Sequence, residues 1–337
     1  DGLAAALIRM GLLAGGESLA VSLLSGGVSC DAWQVVTPAR TICVKRALPK
    51  LRVAADWQAS PGRFRAEAAW MRLACTIAPG HAPEIYATDE TDGLVAMQFF
   101  PPAAYPVWKA RLAQGLVSAD FAADTGALLA RLHGATAGRA EIAAAFANGA
   151  DFCALRIEPY LLFTADRHAD VAPQIRQMAA DVAASSIALM HGDFSPKNIL
   201  CGPEGAVVLD AETACYGDPA FDLAFCLNHF LLKCVWHPEF RPLYAASFAG
   251  MVRCYLAGVS WEDPAGLERR AAGLLAAFLL ARIDGKSPVE YLKDETDRAF
   301  VRNMALGFLR RRVGRLDQIG ADWRSGLDRY QAARGRP

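Results

Sequence analysis

The chain has 337 residues, too many for one small hydrophobic core, and with 53% hydrophobic and 21% charged residues it reads as an ordinary globular protein of two packed lobes. Lys plus Arg and Asp plus Glu both number 35, so the basic surplus of a nucleic-acid binder is missing. Its nine cysteines form no CxxC pair, which argues against zinc and fits reduced core thiols of a cytoplasmic protein, and the longest apolar run, Leu274–Ala281, is far short of a membrane span.

In chain order, the opening "DGLAAALIRMGLLAGG" has no basic stretch before its apolar residues and predicts a short amphipathic helix rather than a signal peptide. Strand-like runs follow at Leu19–Leu24, Ala32–Val36, Thr41–Arg46 and Leu94–Phe99. One helix interrupts them: "GRFRAEAAWMRLACTIA" places Phe64, Ala68, Met71 and Cys75 on an apolar stripe, with Arg63 and Arg65 read as solvated. Residues 99–106, "FFPPAAYP", hold three prolines and suit a connection between lobes.

Beyond it the pattern is helical. Ser118 is a plausible N-cap, and further helices are expected roughly through 166–186, 218–232, 240–257, 264–282 and 296–318. The strong β pattern in this half is "LMHGDFSPKNILCGPEGAVVLDAE", residues 189–212, read as one polar hairpin. The expectation is an α+β, bilobal molecule with a small β-rich lobe (residues 1–98), a hinge (99–106) and a larger helical lobe (107–337).

That hairpin poses the functional question, because Asp193, Asn198, Asp210 and Glu212 stand between apolar strands, where polar groups are costly unless paired. The segment "HGDFSPKN", with "LDAE" placing Asp210 twelve residues after Asn198, resembles the catalytic and metal-binding loops of the aminoglycoside phosphotransferase and choline kinase family, small-molecule relatives of the protein kinases. The resemblance implies ATP and Mg²⁺ as cofactors and a small-molecule hydroxyl as acceptor. It implies that Asp193 accepts the hydroxyl proton, that Asn198 and Asp210 ligate the metal, and that Glu212 adds a carboxylate near a second metal or the substrate. His191 then supports the loop by hydrogen bonds, and Asp222, in "GDPAFDLA", braces it from below. Asp218 is read as a helix N-cap and His133 as a satisfied core histidine.

The same resemblance extends upstream. Lys45 in "TICVKRAL" matches the phosphate-contacting lysine, and Glu67 on the next helix is its ion-pair partner. Gly26, Gly27 and Ser29 form the turn over the phosphates. In "LVAMQFFPP", Met97 flanks the adenine while the Gln98 carbonyl and the Phe100 amide bond its edge. Departures are Ser195, where protein kinases carry a catalytic-loop lysine, and DAE in place of DFG. Only eleven residues separate Asp210 from Asp222, which leaves no platform for a protein substrate.

For the acceptor pocket the sequence offers Trp236, His237, Tyr255, Trp261, Glu290 and Tyr291, with Asp284 and Arg282 in "LLARIDGKSP" as the foremost candidates and Lys286 beside them. Mixed charges there suit a small polar metabolite of the amino alcohol, amino sugar or thiosugar type. An antibiotic phosphotransferase is the second reading, and a nucleotide-binding pseudokinase module the alternative of another class. Retention of Lys45, Asp193, Asn198 and Asp210 together favours an enzyme.

Overall fold

A computed structural model describes residues 2–24, 30–48 and 61–334. Gly26, Gly27 and Ser29 lie outside them. The N-terminal part is a five-stranded antiparallel sheet in the order β1-β2-β3-β5-β4, with β1 Ala20–Leu23, β2 Cys30–Val36, β3 Thr41–Ala47, β4 Ile85–Asp89 and β5 Leu94–Gln98. The four strands expected from the sequence are present within two residues at each end, and β4 is an additional one.

The two-residue period of β3 decides what each face covers. Ile42 and Val44 point to one side, where with Val35, Leu94 and Ala96 they bury Ala6 and Leu7 of α1, Gly2–Arg9. The alternate residues Cys43 and Lys45 point to the other side with their cross-strand partners Met97 and Val95. That side packs against α2, Phe64–Ile77, through Phe64, Ala68 and Met71. A lysine in an apolar strand is thereby aimed at a helix rather than at solvent.

The larger part is helical. It contains α3 Trp108–Ala113, α4 Ala119–Thr136, α5 Ala140–Ala145, α6 Gly149–Phe152, a π-helical stretch Cys153–Leu162, α7 Phe163–Ala165, α8 Ala172–Ala184, α9 Ala220–Trp236, α10 Arg241–Ala257, α11 Pro264–Asp284, α12 Glu295–Arg311 and α13 Leu316–Ala333. Ser118 caps α4 by accepting from the Phe121 amide. The helix expected over 296–318 ends earlier, because Arg312 takes a left-handed conformation (φ 50°) that separates α12 from α13. Among the described residues no helix is long and apolar enough to cross a membrane.

Residues 189–212 do not form a single hairpin. Strand β6 (Ala188–Met190) pairs with β9 (Cys215–Gly217), whereas β7 (Ile199–Gly202) pairs with β8 (Gly205–Val208). The loop from 191 to 198 therefore leaves one strand pair and enters another, and the segment after β8 returns beneath it.

α4 and α10 form the tightest helix pair behind this loop region. Gly250 approaches the Ala119 carbonyl, Gly258 approaches Ala130, and a Cβ on Gly126 would stand 2.6 Å from the Met251 carbonyl oxygen. Gly126→Ala gains about 1 kcal/mol of helix propensity, but the backbone cannot yield as a side chain would, and overpacking costs about 1–3 kcal/mol. The expected outcome is a lower denaturant midpoint with unchanged m-value; a midpoint at or above the parent's would show that the helices can separate freely.

Candidate active site

Five elements meet at the front of the helical part: β3, α2, the 191–198 loop, the segment after β8 and the π-helical stretch. Lys45 Nζ lies 2.6 Å from Glu67 Oε1 and also contacts Asp210 Oδ1. Lys45 and Glu67 are buried. Burial alone would lower the lysine pKa, but Asp210 and Glu67 outweigh it and hold the ammonium well above its ordinary range. For Asp210, burial works against ionisation, yet Lys45 and then Lys197 keep its carboxyl far below the usual range. Asp210 also has φ 67°. A left-handed conformation at a non-glycine residue costs about 1–2 kcal/mol.

Arg63 departs from the sequence reading. It is buried, donates from Nε to Glu212 Oε2 at 2.7 Å, and reaches the Leu48 carbonyl at 2.8 Å. Glu212 is thus engaged across the lobes with a guanidinium. No Arg was expected to face it, and it is buried in that pair rather than standing open beside Asp210.

The 191–198 loop is held from below by one carboxylate. Asp222, fully buried near the start of α9, accepts from the His191 amide (2.6 Å) and the Gly192 amide (2.9 Å), and His133 Nε2 lies 3.3 Å away. His133 is closed by Tyr255 at 2.8 Å, as expected of a satisfied core histidine. Gly192 adopts φ 76°, and a Cβ there would meet the Thr213 carbonyl oxygen at 2.5 Å. His191 donates from Nε2 to the Leu209 carbonyl (2.9 Å), and its Nδ1 accepts from the Asp193 amide (3.1 Å). Burial pushes the His191 pKa down, so the ring is a neutral strut between the loop and the segment that carries Asp210.

The Asp193 carboxylate is buried and heavily engaged on one oxygen. Oδ2 receives Arg156 Nη2 at 2.9 Å, Lys197 Nζ at 2.7 Å and Asn198 Nδ2 at 2.9 Å. Oδ1 has no partner among the described residues. Burial would raise this carboxyl's pKa, and Arg156 followed by Lys197 overturns that and lowers it. The Asn198 amide nitrogen also donates to the Asp193 carbonyl at 3.0 Å, so its amide oxygen is left as an acceptor. Asn198 and Asp210 present one neutral oxygen and one carboxylate oxygen not used by Lys45. That pair fits Mg²⁺, which keeps waters and phosphate oxygens in most of its positions and needs few protein ligands. Among the described residues no group of three or more His, Cys, Asp or Glu could hold a metal ion.

Two residues of the site escaped the sequence reading. Arg156 sits on the π-helical stretch, where its Nε also donates to the Gly192 carbonyl at 2.7 Å. Lys197, four residues after Asp193, supplies the ammonium that Ser195 does not; its spacing was the available signal. Of the residues expected to meet an adenine, Met97 is buried and the Gln98 amide donates to the Glu84 carbonyl at 2.8 Å. Phe100 packs on Tyr105 with ring centroids 4.7 Å apart.

The acceptor candidates divide. Asp284 does not open to a cleft: Arg302 grips it at 2.6 and 2.8 Å, and His168 adds a contact at 3.0 Å. Tyr255 and Trp261 pack around His133. Asp218 accepts from the Ala220 amide at the start of α9 and is also bound by Arg270 at 2.7 Å. Arg282 lies over the Tyr160 ring, while Trp236 and Tyr291 stack 4.5 Å apart.

A β-sheet lobe bearing a buried Lys–Glu pair, set over a helical lobe bearing this aspartate–asparagine–aspartate arrangement, defines a kinase-like phosphotransferase fold. Residues 20–256 match the model of the phosphotransferase enzyme family, and the chain belongs to that family. It is 24% identical over 243 residues to methylthioribose kinase 1 of Oryza sativa subsp. japonica, covering 64% of this chain and 56% of that protein. The chain thus spans little more than half the length of this relative. Its fold is similar to an ethanolamine kinase of Plasmodium vivax (TM-score 0.55, 14% identity, 91% and 87% of the two chains). It is also similar to a choline/ethanolamine kinase family protein of Mesorhizobium loti (TM-score 0.50, 19% identity, 99% and 98%).

The Arg156 contact predicts a pH signature. Arg156→Met leaves the buried Asp193 with less compensation, so its carboxyl pKa rises. Turnover is expected to fall about 10–100-fold, with the acid limb of the pH–rate profile moving to higher pH, and Arg156→Lys should recover part of both. A parallel drop with no movement of the acid limb would leave Arg156 a packing role only.

Proposed function

We propose that this chain transfers the γ-phosphate of ATP to a hydroxyl of a small polar metabolite. The observation that carries the reading is the convergence of Lys45, Asp193, Asn198 and Asp210 in one charged cluster of paired side chains. Lys45, fixed by Glu67, serves the nucleotide phosphates. Asn198 and Asp210 hold Mg²⁺, which when bound neutralises phosphate charge. Residues 1–98 form the nucleotide lobe, with Met97, Gln98 and Phe100 at the adenine, 99–106 the hinge, and 107–337 the lobe that receives the acceptor. Similarity to a methylthioribose kinase supports screening sugar-type acceptors first.

In this reading Asp193 Oδ1, which has no partner among the described residues, accepts the hydrogen of the acceptor hydroxyl and turns its oxygen toward the phosphate. The carboxyl pKa is lowered, so Asp193 orients the nucleophile early and takes the proton late. A weak base suffices, because phosphoryl transfer relies on positioning and charge neutralisation more than on a strongly activated nucleophile.

An ATP-consumption screen over amino alcohols, sugars and aminoglycosides, with product phosphorylation followed directly, tests the proposal. Asp193→Asn should lower turnover by about two to four decades while leaving nucleotide affinity nearly intact; near-normal turnover would remove Asp193 from this role. Nucleotide binding should strengthen with Mg²⁺ in the parent, and Asp210→Ala should abolish most of that gain. Equal ATP affinity in chelator would overturn the metal assignment.

A further inference from the structure

The apolar face of α9 becomes basic as it leaves the catalytic loop. Asp222 braces that loop, and Phe225, His229 and Lys233 follow at helical spacing along the helix. Lys233 is 1% exposed, yet among the described residues its ammonium has no carboxylate within ion-pair distance. It rests over the rings of Tyr291 (4.8 Å) and Trp236 (5.9 Å) and lines a cleft with them, Lys109 and Glu290. Glu290, the cleft's carboxylate, is already paired with Lys109 at 2.5 Å.

A second cation lies near enough to act on both Lys233 and Tyr291. Arg282, at the end of α11, lies over Tyr160 and donates from Nη1 to the Ser287 carbonyl and hydroxyl, while its buried Nε has no hydrogen-bond partner among the described residues; the Tyr291 hydroxyl is likewise buried and unpaired among them. Tyr160 is four residues beyond Arg156 on the π-helical stretch, which joins this strip to the Asp193 carboxylate. Burial, then Lys109, push the Lys233 ammonium down to about 8, with Glu290 opposing and Arg282 adding to the depression. Burial and the cations Lys233, Arg282, Lys109 and Lys197 likewise hold His229 neutral. A cleft with an unpaired, desolvated lysine beside an unpaired guanidinium N–H is short of one anion.

We infer that the acceptor is itself an anion, with its hydroxyl at Asp193 and a carboxylate or phosphate group received by Lys233 and Arg282. This rests on the small-molecule phosphotransferase reading and narrows it. Amino alcohols and aminoglycosides would bring an ammonium against these cations, with Glu290 already engaged, whereas an acidic sugar or hydroxy acid completes both unpaired donors.

Two matched acceptor sets decide the matter with the full chain, ATP and Mg²⁺: glycerol, glycerate, glycerol 3-phosphate and serinol, and glucose, gluconate, glucose 6-phosphate and glucosamine. The expected result is that an acidic member exceeds its neutral counterpart in kcat/KM by tenfold or more, and its amine counterpart by more still. The carboxylate and phosphate members tell the two anions apart. Lys233→Met, close in volume and apolar, should raise KM for that acidic acceptor at least tenfold with KM for ATP unchanged, and Lys233→Arg should retain most of the affinity. Faster turnover of an amine or neutral member, or an acceptor KM unmoved by Lys233→Met, overturns the anion inference and leaves the phosphotransferase reading standing. Absence of both Mg²⁺-dependent ATP binding and turnover with every member overturns the two together.

Discussion

One buried ammonium ties the molecule's two parts into a single site. Lys45 reaches from the sheet between Glu67 of α2 and Asp210 of the segment after β8, and no other side chain described here touches both carboxylates. Desolvating three charges is expensive, and deleting one member of such a cluster costs about 3–5 kcal/mol because the others stay buried without it. Within the clamp the two carboxylates differ: burial pushes the Glu67 carboxyl up to about 7, whereas Lys45 holds the Asp210 carboxyl far below its usual range. Arg63 and Glu212, close by and crossing the same junction, pair with each other rather than with the clamp. Asp210 is the carboxylate that stays ionised, and its oxygen not used by Lys45 is the place where a phosphate-bound cation would bind.

The same accounting explains the second carboxylate. Arg156 and Lys197 both converge on Oδ2 of Asp193, so the cations fix the carboxylate's orientation and leave Oδ1 pointing free. They do so at the expense of basicity, since each lowers the Asp193 pKa. Geometry is preferred over proton affinity here. A carboxylate whose rotation is blocked by three donors can direct a hydroxyl without first having to compete strongly for its proton.

Much of this was legible in the sequence, for reasons that are local. Lys45 in an alternating strand, and Asp193, Asn198 and Asp210 at fixed separations along one segment, keep their meaning without knowledge of the distant chain. Arg156 was not legible. Its partner is 37 positions away, and it is aimed by a π-helical stretch containing Pro159, whose side-chain directions follow no 3.6-residue stripe. Arg63 looked solvated because a helix N-terminus beside polar residues is usually exposed; only the arrival of Glu212 from 149 positions away makes burial affordable. Asp284 failed for the converse reason. Its flanking Arg282 and Lys286 suggested a functional cluster, whereas the groups that hold it, Arg302 and His168, come from α12 and the stretch before α8.

Helix α9 shows how a fixed catalytic loop and an adjustable pocket can share one element. Its first turn is committed: Asp222 satisfies two backbone amides of the loop and is closed off by His133, so a change there leaves buried donors unpaired. Two and three turns on, His229 and Lys233 have no such backbone obligations, and their surroundings are rings and other side chains. Residues 222 and 233 stand about 16 Å apart along the axis, beyond the range at which packing changes usually couple. The charge of the pocket can therefore vary while the loop keeps its shape. In the proposed reading, chemistry is thus set at the start of the helix and recognition at its end.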